Sequence, residues 1–133
     1  MLPQFRQILS VIVVLEIPLP VSALARLLDV SRNVVHGQLN MLHSVFDIPT
    51  SGVLPVQVYH SSFRQFLLEP SSECPVDVKS AHEWVATSCL RVMSACLRRN
   101  ICTVSEPARD RASISPSSVN SCISQELQYA CRY

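Results

Sequence analysis

The chain has 133 residues, a formal net charge of +1 and 48% hydrophobic residues. Its length suits one modest domain with an extension, and its hydrophobic content is enough for a core. The low net charge excludes strong electrostatic attraction to nucleic acid or to an anionic membrane.

The first predicted element is an apolar helix over residues 2–16. Its run Ile8–Leu15 also has the character of a secretory leader. Glu16 ends that run, however, and cleavage beyond it would destroy the next predicted helix. We therefore expect a core helix here. The run is too short for a membrane span, which needs about 20 apolar residues.

Residues 21–45 predict two helices joined by a three-residue turn. Ser22 is a candidate cap for the first of them. Asp29 and Ser31 favour the turn because their side chains bond nearby backbone groups. Apolar residues then repeat at spacings of three and four in both helices, at positions Leu24, Leu27, Leu28, Val34, Val35, Leu39 and Leu42.

A small β-hairpin is predicted over residues 46–60, followed by a last helix over residues 61–68. In the strand-like run that begins at residue 53, Val56, Val58 and His60 are expected to share one side, and Gln57 and Tyr59 the other. Pro55 limits the strand because it cannot donate a ladder hydrogen bond. The last helix is expected to bury one face, formed by Phe63, Phe66 and Leu67.

The remainder of the chain divides by composition. Residues 71–102 predict a helical extension, capped at Asp77 and continuing to about Arg98. Residues 103–124 are rich in serine and proline, which is typical of a linker. Residues 125–133 would begin a helix that is cut short. The predicted fold class is thus mainly α: a winged helix-turn-helix domain over residues 1–70 with a small β-hairpin wing, followed by the helical extension.

The winged-helix layout raises the question of DNA binding. Arg32, Asn33 and His36 are the candidate base readers on the second helix. Residues 21–68 contain three arginines, no lysine and two aspartates, so the basic surface that phosphate contacts require is absent. We therefore favour a solvated helix face for these three residues.

No other pattern indicates a reaction or a metal. The six cysteines form no CxxC pair and have no spacing with histidine that would bind zinc. Cys89 and Cys96 are seven residues apart in the predicted extension helix, which favours a place on its buried face. No nucleophile and base are arranged for catalysis. We expect no catalytic residue, no metal site and no enzyme activity.

Three segments carry a resemblance to a known family: LPVSALARLLDVS, LNMLHSVFDIP and YHSSFRQFLLEP. They resemble the winged-helix region after the nucleotide-binding core of fungal NACHT proteins, which are signal-transducing NTPases of the class that includes NOD-like receptors. The segment VDVKSAHEWVATSCLRVMSACLRRNIC is similar to the helical stretch that follows in that family, and ELQYACRY to the passage toward its repeats. The resemblance covers nearly the whole chain, and YHSSFRQFL and LQYACRY are its most specific pieces.

The resemblance implies a role for one residue. In this family the winged helix folds back on the nucleotide-binding domain in the ADP-bound resting state, and a histidine at the start of its last helix contacts the diphosphate. His60 matches that position. A histidine beside the free amides at a helix N-terminus suits an anion. Without the resemblance, the simpler interpretation is that His60 ends a strand and bonds a backbone carbonyl.

The family also implies a partner and a cellular place. We expect a cytoplasmic regulatory module that packs on a NACHT nucleotide-binding domain, in cis or in trans, and senses its ADP or ATP state. The chain has two glycines and no G-x-x-x-x-G-K-[ST] loop, so we expect it to bind no cofactor on its own and interpret it as a fragment of a larger switch protein. No nucleic acid and no membrane are expected as partners. The alternative is a stand-alone winged-helix DNA-binding protein.

Overall fold

The computed structural model describes residues 3–72, 75–105 and 110–133. This part of the chain is mainly α-helical and has one small antiparallel sheet, which confirms the predicted class at that level. The helices are α1 (Pro3–Val14), α2 (Val21–Leu28), α3 (Arg32–Asn40), α4 (Ser61–Leu68), α5 (Val78–Cys96), α6 (Pro116–Cys122) and α7 (Gln125–Arg132), with a 3₁₀ turn at Arg111–Ser113. The strands are β1 (Phe46–Asp47) and β2 (Gln57–Val58).

The core lies where α1, α2, α5 and α7 meet. Ile8 of α1, Leu24 and Leu27 of α2 and Leu127 of α7 are almost completely buried there. Each such side chain contributes about 1.5–3 kcal/mol by leaving water. Among the described residues, no helix combines the length and the apolar character that crossing a bilayer requires.

The turn between α2 and α3 has three residues, as predicted. Asp29 ends α2 in the left-handed region, with φ of 55°, and the Val30 amide bonds the Ala25 carbonyl at 2.9 Å. The predicted cap at Ser22 is wrong. The hydroxyl of Ser22 instead donates to the carbonyl of Gly52 at 2.9 Å, because the loop between the strands folds over the start of α2.

The sheet is shorter than the predicted hairpin. Phe46 pairs with Val58 and Asp47 with Gln57, so the strands have two residues each. The predicted alternation is confirmed from Val56 to Tyr59, since Val56 is buried, Val58 is half-buried and Gln57 and Tyr59 are exposed. It does not extend to His60, which is exposed because the chain enters α4 there. The Val56 amide also donates to the Leu19 carbonyl at 3.0 Å, which holds the α1–α2 connection against the sheet.

Helix α4 has the bounds predicted for the last helix, but only part of the predicted face is buried. Leu67 is 2% exposed, and the half-buried Phe63 packs edge-to-face on Phe46 with 5.6 Å between ring centroids. Phe66 is 45% exposed, so its predicted burial is wrong. Its side chain remains open to solvent, whereas Phe63 contacts Phe46 of the sheet.

Helix α5 begins as predicted and ends two residues before Arg98. The carboxylate of Asp77 accepts a hydrogen bond from the Ser80 amide at 3.2 Å, which confirms the cap, and the bonds from Ser80 lower the pKa of this carboxyl. Cys89 is buried, but Cys96 is exposed, so the prediction for Cys96 is wrong. The last turn of α5 extends past the helices that cover its middle.

The C-terminal part is more regular than a serine- and proline-rich linker. A 3₁₀ turn and α6 lie within residues 103–124, and Ser115 caps α6 by accepting from the Ser118 amide at 3.3 Å. Helix α7 then packs against α5 and α2 and buries Leu127, Tyr129 and Ala130. The segment predicted as the start of a truncated helix is therefore part of the core.

Candidate functional site

His60 is the residue immediately before α4, at the end of the extended segment that follows β2. Its backbone is extended, with φ of −140° and ψ of 135°, and its side chain is exposed. The ring Nδ1 accepts a hydrogen bond from the Ser62 amide at 3.1 Å. His60 is therefore the cap of α4, a position usually held by serine, threonine, aspartate or asparagine.

The capping bond determines which nitrogen of His60 can act on a ligand. A neutral imidazole has one donor and one acceptor nitrogen. Because Nδ1 accepts from Ser62, the neutral ring carries its proton on Nε2. That exposed Nε2–H group is a hydrogen-bond donor at a helix N-terminus, where the helix dipole also favours negative charge. The interpretation in which His60 bonds a backbone carbonyl is wrong for this structure.

Large apolar side chains are exposed on both sides of His60 along the chain. Tyr59 is 64% exposed, Phe66 is 45% exposed and Leu68 is 37% exposed. We call His60 and these three residues the α4 surface. Exposed apolar side chains that form one patch are typical of a contact with another protein.

The candidate base readers lie on the first turns of α3. Arg32, Asn33 and His36 are all exposed. The guanidinium of Arg32 lies against the loop between β1 and β2. A Cβ atom added to Gly52 in this loop would lie 3.3 Å from an Arg32 nitrogen. Arg32 is therefore packed beside this loop rather than projecting alone into solvent.

Arg91 of α5 binds the C-terminal end of α2. The sequence patterns did not indicate this contact. Its guanidinium donates to the Leu27 carbonyl at 2.5 Å and lies 3.9 Å from the Asp29 carboxylate. The last carbonyls of a helix lack partners within the helix, so a cation at this place satisfies them and suits the dipole. Arg91 therefore ties the α2–α3 turn to α5.

Among the described residues, no cluster suited to a metal ion is found. No group of three or more histidine, cysteine, aspartate or glutamate side chains lies close enough to hold a metal ion. Burial raises the pKa of the thiol groups of Cys89 and Cys102, which makes both poor nucleophiles at neutral pH. Cys74 lies outside the described residues.

Comparisons with protein-family models, with curated protein sequences and with solved structures return no match to the chain.

Proposed function

We propose that this chain is a winged-helix regulatory module of a NACHT-type signalling NTPase. The module packs through the α4 surface on a nucleotide-binding domain, supplied in cis or in trans, and His60 contacts the diphosphate of bound ADP. The resemblance of YHSSFRQFL to the family segment is one support. The chain itself performs no catalysis in this proposal.

The order of elements supports the winged-helix part of the proposal. Three helices are followed by a two-stranded hairpin and a further helix, and the Leu19–Val56 bond adds the α1–α2 connection to the sheet. The turn between α2 and α3 is held from outside by Arg91. This order of elements supports a winged-helix layout.

The observation that carries the proposal is the capping bond of His60. It leaves the Nε2–H group of His60 as an exposed donor at the start of α4. A hydrogen bond to a charged group contributes about 1.5–3 kcal/mol, and this is enough to shift a two-state equilibrium by about tenfold or more. A single contact to the diphosphate can therefore favour the ADP-bound arrangement.

The experiment needs the partner domain. A NACHT domain is sought by reading the genome on both sides of the coding sequence, is expressed separately and is loaded with ADP or with a non-hydrolysable ATP analogue. Isothermal titration with the chain should give tighter binding to the ADP-loaded domain. Equal affinity for both loaded forms, or binding to neither, would overturn the proposal.

DNA binding is the second candidate function, and one observation favours it: Arg32, Asn33 and His36 are exposed together on α3. This alternative predicts binding to a DNA duplex at low salt that weakens steeply as salt is added and that falls when Arg32 is replaced by alanine. Fluorescence anisotropy with a mixed-sequence duplex tests it. Absence of binding at low salt would eliminate it.

A further inference from the structure

A second surface, separate from the α4 surface, is an open cleft of about 850 Å³. One wall is the α1–α2 connection with the loop between the strands, and the other is formed by α6, α7 and the residue after α5. Its volume falls in the range of ligand sites in proteins. Neither His60 nor any residue of α3 or α4 lines it.

The cleft lining exposes large apolar side chains that a monomer would normally cover. Ile17 is 40% exposed, Val53 is 69% exposed, Leu97 is 46% exposed and Tyr133 is 54% exposed. These four come from separate parts of the chain and meet around one cleft. An occupant that covers all four must carry several apolar side chains, since a small ion would leave these residues in water.

The charged side chains of the cleft are of one sign. Arg111 and Arg132 line it, and no aspartate or glutamate side chain does. Within the described ranges, the ion pairs are those of Arg26 with Glu126 and of Arg91 with Asp29. The guanidinium groups of Arg111 and Arg132 therefore have no carboxylate partner there, although Arg132 stacks 5.8 Å from the Tyr133 ring centroid.

We propose that this cleft binds a peptide segment of a partner protein in which glutamate or aspartate alternates with large apolar residues. The apolar side chains of the peptide cover the four exposed residues, and its carboxylates pair with Arg111 and Arg132. Arginine binds a carboxylate through two parallel hydrogen bonds. The pairing therefore has a defined geometry in addition to the attraction between opposite charges. This proposal does not depend on the function assigned to the α4 surface.

The test uses the full chain and a fluorescein-labelled peptide of alternating leucine and glutamate, with a leucine–lysine peptide of the same length as its counterpart. Fluorescence anisotropy should show saturable binding of the glutamate peptide and none of the lysine peptide. The double variant Arg111→Glu/Arg132→Glu should weaken binding about tenfold or more. The control Arg6→Glu/Arg64→Glu changes the charge equally at exposed residues outside the cleft lining and should leave binding unchanged.

A second variant separates the apolar part of the site from the charges. Val53→Ser/Leu97→Ser removes apolar area at two exposed positions, so the fold is retained, and binding of the glutamate peptide should fall. The proposal is overturned if the wild-type chain does not bind the glutamate peptide, or if both charge-reversed proteins bind it equally. Equal binding of the lysine peptide, or binding only to anionic lipid vesicles, would also overturn it.

Discussion

The carboxylate of Glu126 in α7 is buried and meets the guanidinium of Arg26 in α2, with 3.5 Å between Glu126 Oε1 and the Arg26 nitrogen. The Glu126 side chain is 7% exposed, whereas that of Arg26 is 65% exposed. Glu126 Oε2 has no hydrogen-bond partner. The Glu126 carboxylate is stabilised by Arg26 and by the positive N-terminal end of α7. The Arg26–Glu126 pair therefore connects α7 to α2.

Replacing Arg26 should therefore lower the free energy of unfolding by more than the loss of an exposed ion pair usually does. We expect Arg26→Ala to lower the free energy of unfolding by about 1–2 kcal/mol, because it leaves a buried carboxylate unpaired. Adding Glu126→Gln should restore part of this loss, since an amide needs no counterion. Urea unfolding of the two single variants and the double variant measures the coupling. If the double variant loses the sum of the two single-variant losses, the pair contributes nothing.

Arg91 should stabilise the end of α2 through its bonds to the helix carbonyls. We expect Arg91→Ala to cost about 1–2 kcal/mol, and Arg91→Lys to recover only part because lysine lacks the planar fork. Arg98→Ala, at an exposed position just after the end of the same helix, is the matched control and should change little. Thermal unfolding provides the comparison, and a loss of the same size in both alanine variants would contradict the capping role.

Tyr129 gives the fold a dependence on alkaline pH. Burial raises the pKa of this phenol above its usual value of 10.0, so the folded state holds the proton more tightly than the unfolded state. The resulting stability is complete below pH 10 and is lost as the pH rises toward the raised pKa. The hydroxyl also accepts a hydrogen bond from the Glu16 amide at 3.1 Å.

The variant Tyr129→Phe isolates that effect. Near neutral pH it should be less stable than the wild type by about 0.5–1.5 kcal/mol, because the Glu16 amide loses its partner. Above about pH 10 the difference should narrow, since phenylalanine has no proton to lose. Urea unfolding of both proteins from neutral pH to above pH 10 measures this difference in stability. A difference that stays constant with pH would contradict the role of the Tyr129 proton.

Leu127 tests whether α7 belongs to the core. This side chain is 2% exposed, so Leu127→Ala should lower the free energy of unfolding by about 2–5 kcal/mol through the cavity that it leaves. Leu90→Ala on α5, where the side chain is 67% exposed, should stay within about 0.5 kcal/mol of the wild type. A small effect at Leu127 would mean that α7 docks weakly.

Local sequence patterns predicted elements well where both ends of a helix were marked. Helix α4 begins at Ser61, directly after its cap His60, and ends before Glu69-Pro70, and the start of α5 is marked by Asp77. The alternation of buried and exposed side chains from Val56 to Tyr59 could also be predicted, because side chains in a strand point to opposite faces in turn.

Burial depended on neighbours that no local pattern reveals. Phe66 and Cys96 continue apolar stripes, yet both are exposed because the elements that cover α4 and α5 do not reach them. The partners Arg26 and Glu126 are far apart in the chain, as are Glu16 and Tyr129. Which nitrogen of His60 caps α4 depends on the local geometry, and the sequence alone does not determine it.

The two nitrogens of His60 have different roles in the proposed function, and two substitutions separate these roles. His60→Asn keeps an oxygen that can cap α4 but lacks a donor at the position of Nε2, whereas His60→Gln extends an amide donor toward that position. The measurement is the affinity of each variant for the ADP-loaded NACHT domain, by isothermal titration. We predict that His60→Asn folds normally and binds about tenfold more weakly, and that His60→Gln retains more of the affinity. Wild-type affinity in His60→Asn would show that His60 only caps the helix and would contradict the account.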